Sequence, residues 1–107
     1  MAIEFTNAHG EAAASSTAVY TAPAATEAVI FNLDLANIDG TNSVTATVEV
    51  TDTSAGTTKK ILDALSIPIN DTFSLNGKIV LEATDVLKIY AGATGDVDYT
   101  VAVMEKS

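Results

Sequence analysis

Side chains that could do chemistry are few in this sequence, and their spacing forms no catalytic motif. The single histidine, His9, lies in a polar N-terminal segment, and nothing resembles a strained nucleophile elbow with a buried acid. Two acidic pairs, Glu82 with Asp85 and Asp96 with Asp98, have the residue type that glycoside hydrolysis uses. Both pairs lie at turn signals, where acids commonly stabilise the loop. We therefore predict no catalytic residue and no enzymatic activity.

Two polar loops have the oxygen chemistry that Ca²⁺ prefers, at residues 39–42 (Asp-Gly-Thr-Asn) and 95–98 (Gly-Asp-Val-Asp). Neither has the regular acidic spacing of a calcium-binding loop, and turn formation alone accounts for both compositions. The six glycines are scattered singly, so no phosphate-binding loop is present. The sequence therefore predicts no metal ligand and no cofactor. A calorimetric titration with Ca²⁺ would test whether these loops bind calcium.

The charge balance excludes two classes of partner. Fourteen acidic residues against five lysines give a formal net charge of −9, and the chain contains no arginine. Such a chain repels the phosphate backbone and lacks the guanidinium fork that recognises phosphate. Anionic membranes are disfavoured for the same reason. We expect neither nucleic acid nor membrane as a partner, and we interpret the acidic surface as one that keeps copies of the protein apart.

The 107-residue length indicates one domain, and the chain contains no cysteine, which leaves the compartment undecided. The N-terminal residues lack the basic and apolar regions of a secretory signal, and no stretch approaches the ~20 apolar residues of a membrane span. We expect synthesis in the cytoplasm.

The element pattern is the clearest signal in the chain. From Thr17 to Glu105, short segments of alternating apolar and polar residues are separated by turn residues. Strand side chains point alternately to the two faces of a sheet, so this alternation is typical of strands with one face on a core. Turn signals at roughly 8–12-residue spacing are typical of sandwiches. We predict an all-β fold, an antiparallel β-sandwich of the jelly-roll or Ig-like type with about eight short strands.

Two segments give specific predictions of facing. In residues 27–37 the predicted core face contains Val29, Phe31, Leu33 and Leu35, and the solvent face contains Ile30, Asn32, Asp34 and Ala36. Replacing Phe31 by alanine should then cost about 3–5 kcal/mol. In residues 44–51 the predicted core face contains Val44, Ala46, Val48 and Val50, and the solvent face contains Thr45, Thr47, Glu49 and Thr51.

Two further segments depend on local signals. Residues 57–69 have some helical character at their centre, but Pro68 forces an extended conformation before it, so we predict a strand. Asn76-Gly77 is a hairpin signal between a short strand at Phe73 and Leu75 and the segment 78–83.

The first 16 residues differ from the rest, and we divide the chain into an N-terminal arm (1–16) and a β-sandwich domain (17–107). Ile3 and Phe5 alternate with small or acidic neighbours, and a stretch of small residues follows. The segment is either an arm that packs on a neighbouring subunit or a flexible leader. We predict partner contacts at Ile3, Phe5 and His9 of the arm, and at Ile38, an apolar residue between polar loop neighbours.

Four stretches of the chain resemble a known protein family. They are residues 22–37 (APAATEAVIFNLDLAN), 44–58 (VTATVEVTDTSAGTT), 67–91 (IPINDTFSLNGKIVLEATDVLKIYA) and 96–105 (DVDYTVAVME). Together these strand and turn patterns resemble the small virion structural proteins of tailed bacteriophages. The similarity covers about four-fifths of the chain and leaves out the arm.

The resemblance implies a β-sandwich in the virion, most specifically a capsid decoration (cement) protein that binds the outer head surface. It implies the major capsid protein or another virion protein as partner, and a homo-oligomer, with a trimer favoured. The alternatives are a host-surface or glycan adhesion module on the particle, a small hydrolase, and a β-domain with no virion role. Sugar sites commonly use exposed aromatic residues, and the chain contains no tryptophan.

Overall fold

The computed structural model describes residues 3–76 and 78–107, and every regular element in this part of the chain is a β-strand. It contains no helix long and apolar enough to cross a bilayer. The all-β prediction is confirmed, with nine strands where about eight were expected. They are β1 (Ile3–Glu11), β2 (Thr17–Thr21), β3 (Glu27–Asn37), β4 (Val44–Asp52), β5 (Thr57–Ile67), β6 (Thr72–Leu75), β7 (Ile79–Leu81), β8 (Val86–Ala91) and β9 (Val97–Lys106).

The strands form two antiparallel sheets packed as a sandwich. The first sheet has the order β1-β9-β3-β6, with β7 also paired to β3, and the second has the order β2-β8-β4-β5. The pairs nest inside one another: β1 with β9, β2 with β8, β3 with β6 and β7, and β4 with β5. One long hairpin folded over into two layers has this connectivity, which is that of a jelly roll. The topology therefore selects the jelly roll over the Ig-like sandwich.

The core between the sheets is aliphatic. Its largest fully buried side chains are Ile30, Leu33, Leu35, Val48, Ile67, Leu81, Leu87, Ile89, Val97, Val101 and Val103. Removing such side chains from water is the main favourable term in folding, and it depends on each strand keeping its alternation in register.

Strand β3 departs from the predicted facing because it contains a β-bulge. The pairing with β9 shifts between Ile30 and Asn32, so Phe31 is an extra residue and its side chain is 40% exposed. C-terminal to the bulge the prediction is correct, since Leu33 and Leu35 are fully buried. N-terminal to it the facing is inverted: Ile30 is fully buried and Val29 is only half-buried. A one-residue slip moves every side chain to the opposite face, which is the physical reason for the error.

Strand β4 is only partly as predicted. Val44, Ala46 and Val48 are buried, but the two polar residues Thr47 and Glu49, which we placed in solvent, are buried as well, at 4% and 9% exposure. Both lie on the outer face of the second sheet, where β8 and β5 flank β4 on either side. A central strand is shielded by its neighbours even on the side away from the core.

Residues 57–67 form β5, which confirms the strand prediction up to Ile67, whereas Pro68 and Ile69 of the predicted segment lie beyond the strand. The predicted hairpin between β6 and β7 is wrong, because both strands pair with β3, at residues 33–36 and 28–30 respectively. Gly77 of the hairpin signal lies outside the described residues.

The N-terminal segment, predicted as an arm, is the edge strand of the first sheet. Residues 3–11 pair with β9 without any shift in register, from Ile3 opposite Lys106 to Glu11 opposite Asp98. Ala12 is buried, and its N–H donates to the carbonyl of Val97. In this structure the segment therefore lies on its own sandwich, and a separate role for residues 1–16 stays a prediction.

Candidate assembly surface

An apolar row crosses the outer face of the first sheet near one end. The strand registers place Phe5 of β1 opposite Met104 of β9, Met104 opposite Val29 of β3, and Val29 opposite Val80 of β7. Directly opposed residues on neighbouring strands point to the same face and contact one another. Phe5 is 73% exposed and Val80 is 65% exposed, so the row is open to solvent at both ends.

The bulge in β3 adds a second aromatic ring to this row. Phe31 points outward, and its ring lies edge-on to the ring of Phe5, with centroids 6.2 Å apart at an interplanar angle of 90°. Ile3, two residues before Phe5 on the same face, extends the surface and is 58% exposed. We call this surface the apolar patch: Ile3, Phe5, Val29, Phe31, Val80 and Met104.

Polar residues lie beside the apolar patch at both of its ends along the strands. Lys106 and Glu27 lie opposite each other at its outer end. On the other side the next row contains Asn7, Ala102 and Asn32. An apolar centre with a polar rim is the usual anatomy of a protein–protein interface, and the flat surface of a sheet suits such a contact better than it suits a small ligand.

The structure separates the four predicted contact residues. Ile3 and Phe5 are in the apolar patch, and His9 lies further along β1 on the same face, with Nδ1 3.2 Å from Oδ1 of Asn7. Ile38, which is 42% exposed, follows the other end of β3. That position is roughly 25–30 Å along the strand from Val29, given the rise per residue. The contact role of all four residues stays a prediction.

Sequence reasoning missed Val29, Phe31, Val80 and Met104 as parts of this surface. Val29 and Phe31 were assigned to the core, and the other two carry no local signal of exposure. Only the bulge and the register of β7 reveal the surface, and neither can be read from residue spacing alone.

Three carboxylates meet at the end of the sandwich where the β4–β5 turn approaches the β7–β8 turn. One oxygen each from Asp52, Glu82 and Asp85 lies within 4.8 Å of the others, a grouping that sequence separation hides. Asp85 is 5% exposed, and its oxygens accept hydrogen bonds from the N–H groups of Thr53 (3.2 Å) and Glu82 (3.0 Å). The buried acid therefore fastens two turns together, which is the turn role predicted for Asp85, whereas Glu82 takes part through its backbone N–H.

Asp52 and Asp39 each organise their own loop. Oδ1 of Asp52 accepts from N–H and Oγ of Ser54 and from N–H of Ala55. Oδ1 of Asp39 accepts from N–H and Oγ1 of Thr41 and from N–H of Asn42. In both cases the hydroxyl hydrogen bond is the main cause that lowers the carboxyl pKa below its ordinary value. Both loops therefore have the hydrogen bonds of Asx-turns, in which the carboxylate accepts from backbone N–H groups of its own loop.

Tyr20 of β2 and Glu105 of β9 connect the two sheets. The Tyr20 hydroxyl donates to Oε2 of Glu105 at 2.5 Å. Burial raises the pKa of the Tyr20 phenol above its ordinary value, and the hydrogen bond and the negative charge of Glu105 raise it further. In the register of β1 and β9, Glu105 lies opposite another carboxylate, that of Glu4. The group that stabilises the Glu105 carboxylate is therefore the Tyr20 phenol, which donates a hydrogen bond to it.

The part of the chain that the structure describes encloses no pocket for a small molecule. Tyr20, Tyr90 and Tyr99 are each only partly exposed and lie on three different strands. The site best supported by geometry is therefore the apolar patch.

Comparison with known proteins shows similarity at the level of the fold. No protein-family model matches the sequence, and no curated protein matches it. A chain from the acid-stable capsid of Helicobacter pylori bacteriophage KHP30 superposes with a TM-score of 0.61 at 13% identity, covering 98% of this chain and 87% of that one. The chain shares the fold of phage capsid proteins.

Two further solved structures superpose on the chain. A chain from Bacillus endospore appendages, a family of disulfide-linked pili, superposes with a TM-score of 0.57 at 13% identity, covering 99% of this chain and 87% of that one. A pentameric capsid protein isolated from metagenomic phage sequences gives a TM-score of 0.50 at 21% identity, covering 90% of this chain and 60% of that one. At these identities the shared property is the jelly roll.

Proposed function

We propose that this protein is a structural component of a phage virion, and specifically a capsid decoration protein that binds the outer head surface and stabilises the shell. The observation that carries the proposal is the apolar patch, an exposed aromatic and aliphatic surface on a sheet face of a jelly roll whose described residues enclose no pocket. The fold that the chain shares with phage capsid proteins supports a virion role. The resemblance of its sequence motifs to phage virion proteins supports the same role.

The apolar patch suits attachment to another protein. Contiguous exposed apolar surface is uncommon on a protein that functions alone, because it favours association. Here it is confined to one end of one face, while the formal net charge of the whole chain is −9. A copy bound through the patch would turn its second sheet outward, and the strands of that sheet carry threonines and charges of both signs, with Glu49 opposite Lys60 and Lys88.

The proposed partner is the major capsid protein. A decoration protein adds its binding free energy to the assembled shell and not to the free subunits, and mass action then raises the temperature at which the shell disassembles. The disulfide linkage named for the pilus neighbour does not extend to this chain, which has no cysteine.

Binding to capsids tests the proposal. Purified expanded capsids of the phage that encodes the chain, stripped of the protein, are mixed with it and sedimented. The wild type should sediment with the capsids and raise their melting temperature, and Phe31→Ser or Val80→Ser should weaken both effects. Ile69→Ser is the matched control, because Ile69 is 42% exposed but lies outside the patch. If the wild type stays in the supernatant, the protein is not a decoration protein of that capsid.

The adhesion alternative is tested in the same material. Particles with and without the protein are compared for binding to host cells, and the purified protein is applied to a glycan array. Cell or glycan binding that Phe31→Ser leaves intact, together with no capsid stabilisation, would support adhesion in place of decoration.

A further inference from the structure

Strand β1 has one side that no described segment pairs with. Its other side is bonded to β9 over all nine residues. Among residues 3–76 and 78–107, no backbone hydrogen bond joins the free side of β1 to another element. In an antiparallel edge strand alternate N–H and C=O groups point away from the sheet, so β1 presents a row of donors and acceptors that another strand can bond.

The other edges of the sandwich carry features that prevent such pairing. The edge strand β5 contains Lys59 and Lys60, two register shifts and a positive φ of 49° at Ala64. Strand β2 has only five residues and a shift between Ala18 and Tyr20, and β6 and β7 have four and three residues. Charged residues, bulges and short length are the known means of blocking an edge. Strand β1 has neither lysine, proline nor bulge, its charged residues are Glu4 and Glu11 near its two ends, and it is the longest continuously paired edge in the described chain.

We propose that β1 pairs with β1 of a second copy, antiparallel, about a two-fold axis centred on Asn7. In this register all nine residues are paired. Glu4 lies opposite Gly10 of the second copy, and Glu11 lies opposite Ile3. The strand's two carboxylates therefore each face an uncharged residue, as a favourable cross-strand pairing requires.

The alternative registers are less favourable. Moving the axis to Phe5 leaves Ala8 to Glu11 without an opposed residue of β1, and moving it to His9 leaves Ile3 to Thr6 unpaired. A parallel arrangement in register places Glu4 opposite Glu4 and Glu11 opposite Glu11, which is destabilising. The register centred on Asn7 thus pairs the whole strand and places no two carboxylates of β1 directly opposite each other.

The two-fold register also fits the rest of the surface. Residues directly opposed across a strand pair point to the same side, so Asn7 faces Asn7 and Phe5 faces His9 on one continuous outer face. The apolar patch of each copy remains accessible on that face. The inference goes beyond the proposed function, because it needs no capsid and is tested without one.

A trimer would need a different contact. A ring of three copies uses two different surfaces in head-to-tail fashion, so a trimer formed by strand pairing through β1 would pair it with β2, β5, β6 or β7 of the next copy. Those are the edges with blocking features. A strand pair also buries little area, so the dimer should be weak and dependent on concentration. Each copy carries a formal charge of −9, so salt should strengthen the dimer by screening repulsion.

Native mass measured by light scattering is the first test, over about 10 µM to 1 mM protein, a range that spans weak association. The wild type should form a dimer in this range. Asn7→Lys places two lysines opposite each other at the axis and should give a monomer. Thr100→Lys adds the same charge to the same face on the central strand β9, and it should leave the dimer intact. Melting curves verify that both variants fold.

The register is tested by charge exchange and by cross-linking. Asn7→Lys and Asn7→Glu should each be monomeric alone and form a mixed dimer together. Because the chain has no cysteine, Asn7→Cys should give a disulfide-linked dimer on mild oxidation, and Thr100→Cys should not. A wild type that is monomeric throughout, a trimer, or a dimer that Asn7→Lys leaves intact would each overturn the proposal.

Discussion

The rings of Phe5 and Phe31 meet edge to face on the outer surface of the first sheet, with centroids 6.2 Å apart. The two residues belong to strands on either side of β9, and Phe31 points outward only because β3 bulges at that position. An edge-to-face pair contributes about 0.5–1.5 kcal/mol beyond the burial of its area. The bulge therefore converts a residue of a core-type pattern into part of an exposed surface.

Alanine substitutions at the bulged residue and just after the bulge should lower the free energy of unfolding by different amounts. Phe31→Ala removes a side chain that is 40% exposed, so we expect a loss of about 1 kcal/mol or less, most of it from the contact with Phe5. Leu33→Ala opens a cavity at a fully buried position and should cost about 2–5 kcal/mol. Urea unfolding measures both values, and equal losses would show that the assigned register is incorrect.

Removal of the Tyr20 hydroxyl should loosen the connection between the sheets. Tyr20→Phe leaves Oε2 of Glu105 without its donor at a half-buried position, and we expect a loss of about 1–2 kcal/mol. Tyr90→Phe is the matched control, because the Tyr90 hydroxyl makes no hydrogen bond within the described residues; its effect should stay within about 0.5 kcal/mol. Denaturant unfolding at neutral pH compares the two variants.

The same phenol makes stability fall at high pH. The pKa of Tyr20 is raised in the folded state above its ordinary value of 10.0, so folding favours the protonated form. This contribution is complete below pH 10 and is lost as the pH rises through the folded-state pKa. We expect the free energy of unfolding to decline above about pH 10, and the decline to be shallower in Tyr20→Phe. Parallel curves for the two proteins would contradict the assignment.

Asn37 should be among the most sensitive polar positions. Its side chain is 8% exposed, and Nδ2 lies within 3.0–3.1 Å of the carbonyls of Asn42, Ile67 and Pro68. Asn37→Ala removes this shared donor from a buried site, where only the Pro68 carbonyl is known to keep another donor, the N–H of Asp71, and we expect a loss of about 2–4 kcal/mol. The same substitution at the exposed Asn76 should change stability by less than about 0.5 kcal/mol. A similar melting temperature for both variants would rule out this role of Asn37.

One substitution should stabilise the protein. Ala25 has a φ of 58° in the turn where the N–H of Thr26 donates to the carbonyl of Pro23, a position that favours glycine. The left-handed conformation costs alanine about 1–2 kcal/mol, and glycine's greater freedom in the unfolded chain offsets part of that gain. Ala25→Gly should therefore add about 0.5–1 kcal/mol, whereas Ala24→Gly, at negative φ, should not. A lower melting temperature for Ala25→Gly would contradict this.

The sequence was sufficient for the fold class and for much of the core. Alternation in residues 44–48 correctly placed Val44, Ala46 and Val48 inside, and the same rule was correct for Leu33 and Leu35. These predictions succeed because the period of two is a local property of an extended chain.

The rest depends on contacts between distant segments. No residue type marks the bulge at Phe31. Glu49 is buried because its strand is central in the sheet, and its carboxylate accepts a hydrogen bond from the Ser16 hydroxyl (2.8 Å). The meeting of Asp52 with Asp85 depends on two turns that are far apart in sequence. The apolar patch could not be predicted, because it combines side chains from four strands.

Electron cryomicroscopy of the intact phage particle tests the central claim most directly. We expect density for the jelly roll on the outer surface of the head, with Phe31 and Val80 facing the major capsid protein. Density elsewhere on the particle, or on the head with the apolar patch facing solvent, would contradict it.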